Sequence, residues 1–138
     1  MLLSNLSWPD VRQLNVADLV VMLPTGSFEQ HGPHLPFTVD SDLVEAISAK
    51  VERRLSQKVL LLPTLWPGMS THHNAFPGTM DVPQLIYIQL ISELGQSMAR
   101  MGARKAFFLN GHGGNDIPLR AALRELKTAV PSVRFVTA

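Results

Sequence analysis

The stretch DLVVMLPTGSFEQHGPHLPFTVD, residues 18–40, decides the fold. After Asp18 it runs apolar for five residues without alternation. That pattern marks a strand covered on both faces, as in a parallel sheet. Residues 29–40 then carry two prolines and a glycine, so they form neither a regular helix nor an inner strand. The same twelve residues hold Glu29, His31, His34 and Asp40. A segment of this kind folds back over a strand end and aims several donors at one point.

Three more apolar runs follow: KVLLL (58–62), KAFFL (105–109) and VRFVT (133–137). Helical patterns lie between them. From Ser41 to Gln57, Leu43, Val44, Ile47, Val51 and Leu55 recur near 3.6 residues, opposite Glu52, Arg53 and Arg54. Asp40 or Ser41 is the expected cap. From Pro83 to Met101 the stripe is Ile86, Leu90, Leu94 and Met98, with Pro83 in the first turn and Gly102 after the last. From Asp116 to Ala129 it is Leu119, Leu123 and Leu126. The order β-α-β-α-β-α-β predicts parallel strands joined by right-handed helical crossovers.

All five histidines fall in the loops after the first three strands: His31 and His34, His72 and His73, and His112. In a parallel α/β sheet these loops gather at one edge, where ligands bind. Glu29, His31, Asp40 and His112 make a mixed nitrogen and oxygen set suited to Zn²⁺, Mn²⁺ or Fe²⁺. A carboxylate can bridge two such ions ~3.5–4 Å apart, and an ion of this kind lowers the pKa of bound water toward ~7 and polarises a carbonyl. Hydrolysis of an amide-like bond is the natural reaction. NGHGGND (110–116) also offers backbone N–H groups to an anion or oxyanion. It is no phosphate loop, because no Lys-Ser or Lys-Thr follows the glycines. Of the adjacent His72 and His73, one is expected in the site and the other packed or solvated. Trp66 and Phe76 flank them and wall a pocket or pack in the core, where Met98 and Met101 belong. Ser27 lacks the GxSxG context of a serine nucleophile.

The 138 residues suit one domain, 46% hydrophobic and 17% charged. The net charge of +1 without a basic stripe argues against a nucleic-acid partner. The absence of cysteine excludes disulfides, thiolate ligands and a cysteine nucleophile. No stretch approaches a membrane span, and MLLSNLSWPD has no basic n-region, so the expectation is a soluble cytoplasmic protein.

PTGSFEQHGPHLPFTVD, GMSTHHNAFPGTMD and NGHGGN, in this order, resemble the creatininase (creatinine amidohydrolase) family over about residues 18–130. The resemblance implies a three-layer α/β/α sandwich with a mostly parallel sheet. It implies a centre of one or two divalent ions, Zn²⁺ or Mn²⁺ with Fe²⁺ as a further option, hydrolysis of a small-molecule cyclic or linear amide, and ring-like homo-oligomers. Carried over by motif, Asp40 is the bridging ligand, and Glu29, His31 and His112 are terminal ligands. His73 is the pocket histidine three residues before FPGT, and His34, close to the ligands, either supports them or shuttles protons. Two departures stand out. Where true creatininases resemble NGHYEN, this chain has Gly114 in place of the glutamate that supplies another ligand. The chain also resembles the N-terminal half of a member and stops after the fourth strand. Two other readings follow: a non-catalytic fragment that binds a metal or partner chain, and a module that binds a phosphorylated small molecule at the glycine turn.

Overall fold

The computed structural model describes residues 1–138. Four strands form one sheet: β1 (Val20–Thr25), β2 (Val59–Leu61), β3 (Lys105–Asn110) and β4 (Arg134–Thr137). Their spatial order is β2-β1-β3-β4 and every pairing is parallel. A short helix α1 (Trp8–Gln13) precedes the sheet, and α2 (Val39–Arg54), α3 (Gln84–Arg100) and α4 (Asp116–Ala129) connect the strands. The chain moves one way from β1 to β2, then crosses back past β1 to reach β3. Right-handed crossovers therefore place α2 on one face and α3 with α4 on the other. The result is the three-layer sandwich that the family resemblance implies. β1 and β3 run side by side with Thr25 opposite Asn110 at their ends, and the connections beyond diverge. That reversal opens a crevice at the carboxyl ends of the strands.

Alternate strand residues meet different partners, as the pleat requires. Val21, Leu23, Leu60, Ala106, Phe108 and Phe135 join Tyr87, Ile91, Met98, Leu119, Leu123 and Leu126 in one cluster of 17 buried residues. On the α2 side the cluster holds only Met22, Val59 and Leu61, with Val51, Phe107 and Leu109 partly buried against it. Val136, beyond them on β4, is 45% exposed.

The helical faces differ from the sequence reading at two places. On α2 and at its C-cap, Leu43, Ile47 and Leu55 point to solvent at 59%, 52% and 44% exposure, and the buried residues of the helix are Ser41, Val44 and Ser48. Small side chains let this helix lie close to the sheet, so its larger apolar residues turn outward. The helix also begins earlier than expected. Thr38 is its N-cap residue and donates a 2.7 Å hydrogen bond to Asp42, so neither Asp40 nor Ser41 is the cap. On α3 the buried stripe runs one position later, through Tyr87, Ile91, Gly95 and Met98, and Ile86 is exposed. A glycine in that stripe brings the helix against Leu126 of α4, which rotates the packed face. The α4 stripe is buried as read. Trp66 and Phe76 are about half exposed and line no core. No helix is long and apolar enough to cross a membrane.

Candidate metal centre

Three irregular connections meet above the β1–β3 crevice, and each carries donors. The first runs from β1 to α2 and ends by placing Asp40 in the first turn of α2. Thr38 holds the N-cap position and the Asp40 carboxylate faces inward. Its Oδ2 accepts hydrogen bonds from Ser27 Oγ at 2.9 Å and His112 Nδ1 at 2.8 Å. Its Oδ1 lies 3.2 Å from His31 Nε2. Ser27 is fully buried, so its role is to hold Asp40 rather than to attack a substrate.

Glu29 is 5% exposed. Its Oε2 lies 3.4 Å from His112 Nε2, and its Oε1 lies 3.6 Å from His73 Nε2. Oε2 is buried with no hydrogen-bond partner. A buried carboxylate oxygen left in this state is costly unless a cation neutralises it.

The imidazoles point the same way. His31 Nδ1 lies 3.0 Å from the Glu29 carbonyl, which can only accept, so Nδ1 carries the proton. In the neutral ring Nε2 is then a lone pair facing Asp40. Such a backbone bond orients a metal-binding histidine. His112 sits 4% exposed among acceptors: Asp40 at Nδ1, and at Nε2 both Glu29 and the Met69 carbonyl at 3.1 Å. A neutral ring has one N–H to give, so either the ring carries a second proton or a cation meets one of these contacts. Glu29, His31 and Asp40 thus fit a divalent ion, with ligand atoms all within 4.8 Å of one another, and His112 lies against both carboxylates.

A second triad, Glu29 with His72 and His73, satisfies the same distance criterion and shares the Glu29 carboxylate. His72 is exposed, with its ring stacked on His112 at 6.0 Å and 5°. His73 is tethered by Gln30, whose Nε2 lies 2.8 Å from His73 Nδ1. Phe76 meets the His73 ring edge-on at 6.0 Å. The structure does not bring His34 into this cluster: it is exposed on the loop, beside Gly32.

Three residues that build the site went unnoticed in the sequence, and a fourth, Ser27, was read there only as lacking the context of a nucleophile. Asn115 is fully buried and ties all three connections together: it accepts from Met69 N at 2.9 Å and donates to the Gly26 carbonyl at 2.9 Å. Asp81 accepts from Ser70 N, Thr71 and Asn74, and so shapes the turn that presents His72 and His73. Its signal was available, since all three His-bearing loops end in aspartate, at Asp40, Asp81 and Asp116. Gln30 and Ser27 complete the set. Gly111 is required by a close approach: a Cβ there would stand 2.7 Å from Val44 Cβ and 2.9 Å from the Asp40 carbonyl. The β3 loop and the first turns of α2 are in direct contact at this point, which holds His112 and Asp40 together.

The chain matches the family model Creatininase: Creatinine amidohydrolase over residues 4–137. It is 37% identical over 114 residues to the mycofactocin precursor peptide peptidase of Mycobacterium ulcerans (strain Agy99), covering 78% of this chain and 45% of that protein. A solved structure described as Creatininase Mn superposes with TM-score 0.86 at 30% identity, covering 99% of this chain and 57% of the other. A mutant creatininase of Zn–Zn type superposes with TM-score 0.85 at 30% identity, with the same coverage of 99% and 57%. The chain spans about half the length of the curated relatives it matches.

Proposed function

The chain belongs to the creatininase family, and from that membership we propose that it binds one divalent ion through Glu29, His31, Asp40 and His112 and, by itself, holds that ion without turning over an amide. One observation carries the limit to a single ion at these residues. A Cβ on Gly114 would meet the Met69 carbonyl at 2.2 Å and His112 Nε2 at 2.4 Å. No carboxylate fits there, so the residue that resembles a second-ion ligand elsewhere in the family has no counterpart at this position. Asp40 then serves one ion and does not bridge two. Zn²⁺ and Mn²⁺ are the ions that the donor set and the similar structures favour.

When bound, such an ion supplies Lewis acidity toward a carbonyl oxygen or a water. The protein's own groups hold it: Ser27 orients Asp40, the Glu29 carbonyl orients His31, and Asn115 fixes the loops. A second reading, hydrolysis of a small-molecule amide by the chain itself, is supported by the position of the cluster in the crevice between β1 and β3. In that reading His73 is the pocket residue and His34, on the exposed loop, the proton carrier to solvent. Association with another copy of the chain is supported by the exposed Leu43, Ile47 and Val136.

Elemental analysis of protein purified without chelator tests the proposal. One ion per chain is expected, absent in Asp40→Asn, with no hydrolysis across a panel of cyclic and linear amides. No ion in the wild type overturns the assignment. Chelator-sensitive turnover by the chain alone establishes the second reading in its place.

A further inference from the structure

The geometry points to Gln30 as the positioning residue that fixes the proton of His73 on Nε2, making His73 a hydrogen donor to the site and not a ligand to an ion. The inference deepens the reading above and rests on it for what His73 faces. The hydrogen-bond chain that carries it starts at the backbone. Gly32 N lies 2.8 Å from the Gln30 side-chain oxygen Oε1. A backbone N–H only donates, so the atom it meets must be the oxygen, and the amide cannot be flipped. Gly32 has φ +78°, a conformation that favours glycine, in the turn that brings its N–H onto the side chain two residues earlier.

With the amide fixed, its NH₂ group is the atom 2.8 Å from His73 Nδ1. That group only donates, so Nδ1 accepts through its lone pair. A ring that accepts at Nδ1 is neutral and keeps its proton on Nε2. Nε2 lies 3.6 Å from Glu29 Oε1, beyond hydrogen-bond reach, so the N–H is not spent there. The side chain keeps 24% of its surface exposed.

Two histidines therefore approach the acidic pair of the site with opposite polarity. His31 turns a lone pair inward because a carbonyl takes its Nδ1 proton. His73 turns an N–H inward because an amide donates to its Nδ1. This separates the two triads that share Glu29. The set with His31 and Asp40 is ready for an ion, and the set with His72 and His73 is closed to one while Gln30 is present. An N–H at that place suits an oxygen that gains negative charge, such as the carbonyl oxygen of an amide.

The test is a long-range ¹H–¹⁵N correlation spectrum of histidine-labelled protein, metal-free and loaded with Zn²⁺. Wild-type His73 is expected to show an unprotonated Nδ1 and a protonated Nε2 in both states. Gln30→Glu keeps the Gly32 bond with one oxygen and accepts with the other, and is expected to put a proton on Nδ1. A wild-type His73 protonated at Nδ1 overturns the inference. So does loss of the Nε2 proton when Zn²⁺ is added, or an unchanged His73 pattern in Gln30→Glu. Zinc content of Asp40→Asn is measured beside it: retained zinc there sinks the ion assignment and leaves the His73 result standing.

Discussion

The two faces of the sheet are built unequally. The face under α3 and α4 is closed by 17 buried residues, among them Phe108, Tyr87 and Phe135. The face under α2 has three buried residues, and the helix over it turns Leu43 and Ile47 outward. The first face is a folding core, since burial of apolar surface is the main favourable term in folding. The second is a platform. Its helix carries Asp40 in its first turn and lies close to the sheet on serines and a valine. The difference teaches that the site rests on the thinner layer, so its order depends on polar contacts and on an ion more than on packing.

The largest effect belongs to the closed face. Phe108→Ala should cost about 3–5 kcal/mol in urea unfolding, because Phe108 is fully buried and a packed core closes over such a space only in part. A loss below ~1 kcal/mol would erase the distinction between the faces. Next comes the ion. At 100 times its dissociation constant, Zn²⁺ should stabilise the wild type by ~2.7 kcal/mol, and Asp40→Asn should not respond. Hydrogen exchange sharpens this comparison: amides of α2 should exchange faster than those of α3 in metal-free protein and slow on Zn²⁺ addition.

Tyr87 gives a smaller effect on the closed face. Burial pushes its hydroxyl above the ordinary phenol range. The folded chain thus holds this proton more tightly than the unfolded chain does. The resulting stability is fully present below the unfolded value near 10 and is lost as pH rises above it. Tyr87→Phe should flatten that alkaline decline and change stability at pH 7 by no more than ~1 kcal/mol. A steep decline that persists in Tyr87→Phe would point to another group. The smallest effect is Ile47→Ser, within ~0.5 kcal/mol in dilute protein. A cost that grows with protein concentration would show this face covered by another copy.

Much of the architecture was legible. Continuous apolar runs marked the parallel strands, and the punctuation between them marked the crossovers, because burial on both faces leaves a strand no polar side to show. The α2 face was misread because its packing is set by what is small. Ser41 and Ser48 are buried where periodicity looks for Leu43 and Ile47, and a count of apolar residues does not register close backbone approach. Residue types and loop positions pointed to Glu29, His31, Asp40 and His112 as a set, and the structure brings them within reach of one another. What holds them was not legible. Asn115 and Gln30 act through single hydrogen bonds to backbone or ring atoms, and such bonds leave no period in a sequence.

Gly111 has a consequence for anyone who scores variants by survival. It offers no donor and meets no ion, yet every side chain placed there collides with the backbone of the turn that bears Asp40. A saturation library selected for metal retention would return this position as invariant as His112 next to it. Intolerance at the two has different causes, steric at one and chemical at the other. A compensating change tells them apart: Val44→Gly removes the Cβ that a side chain at position 111 meets first, so it relieves part of that clash and none of the loss at 112.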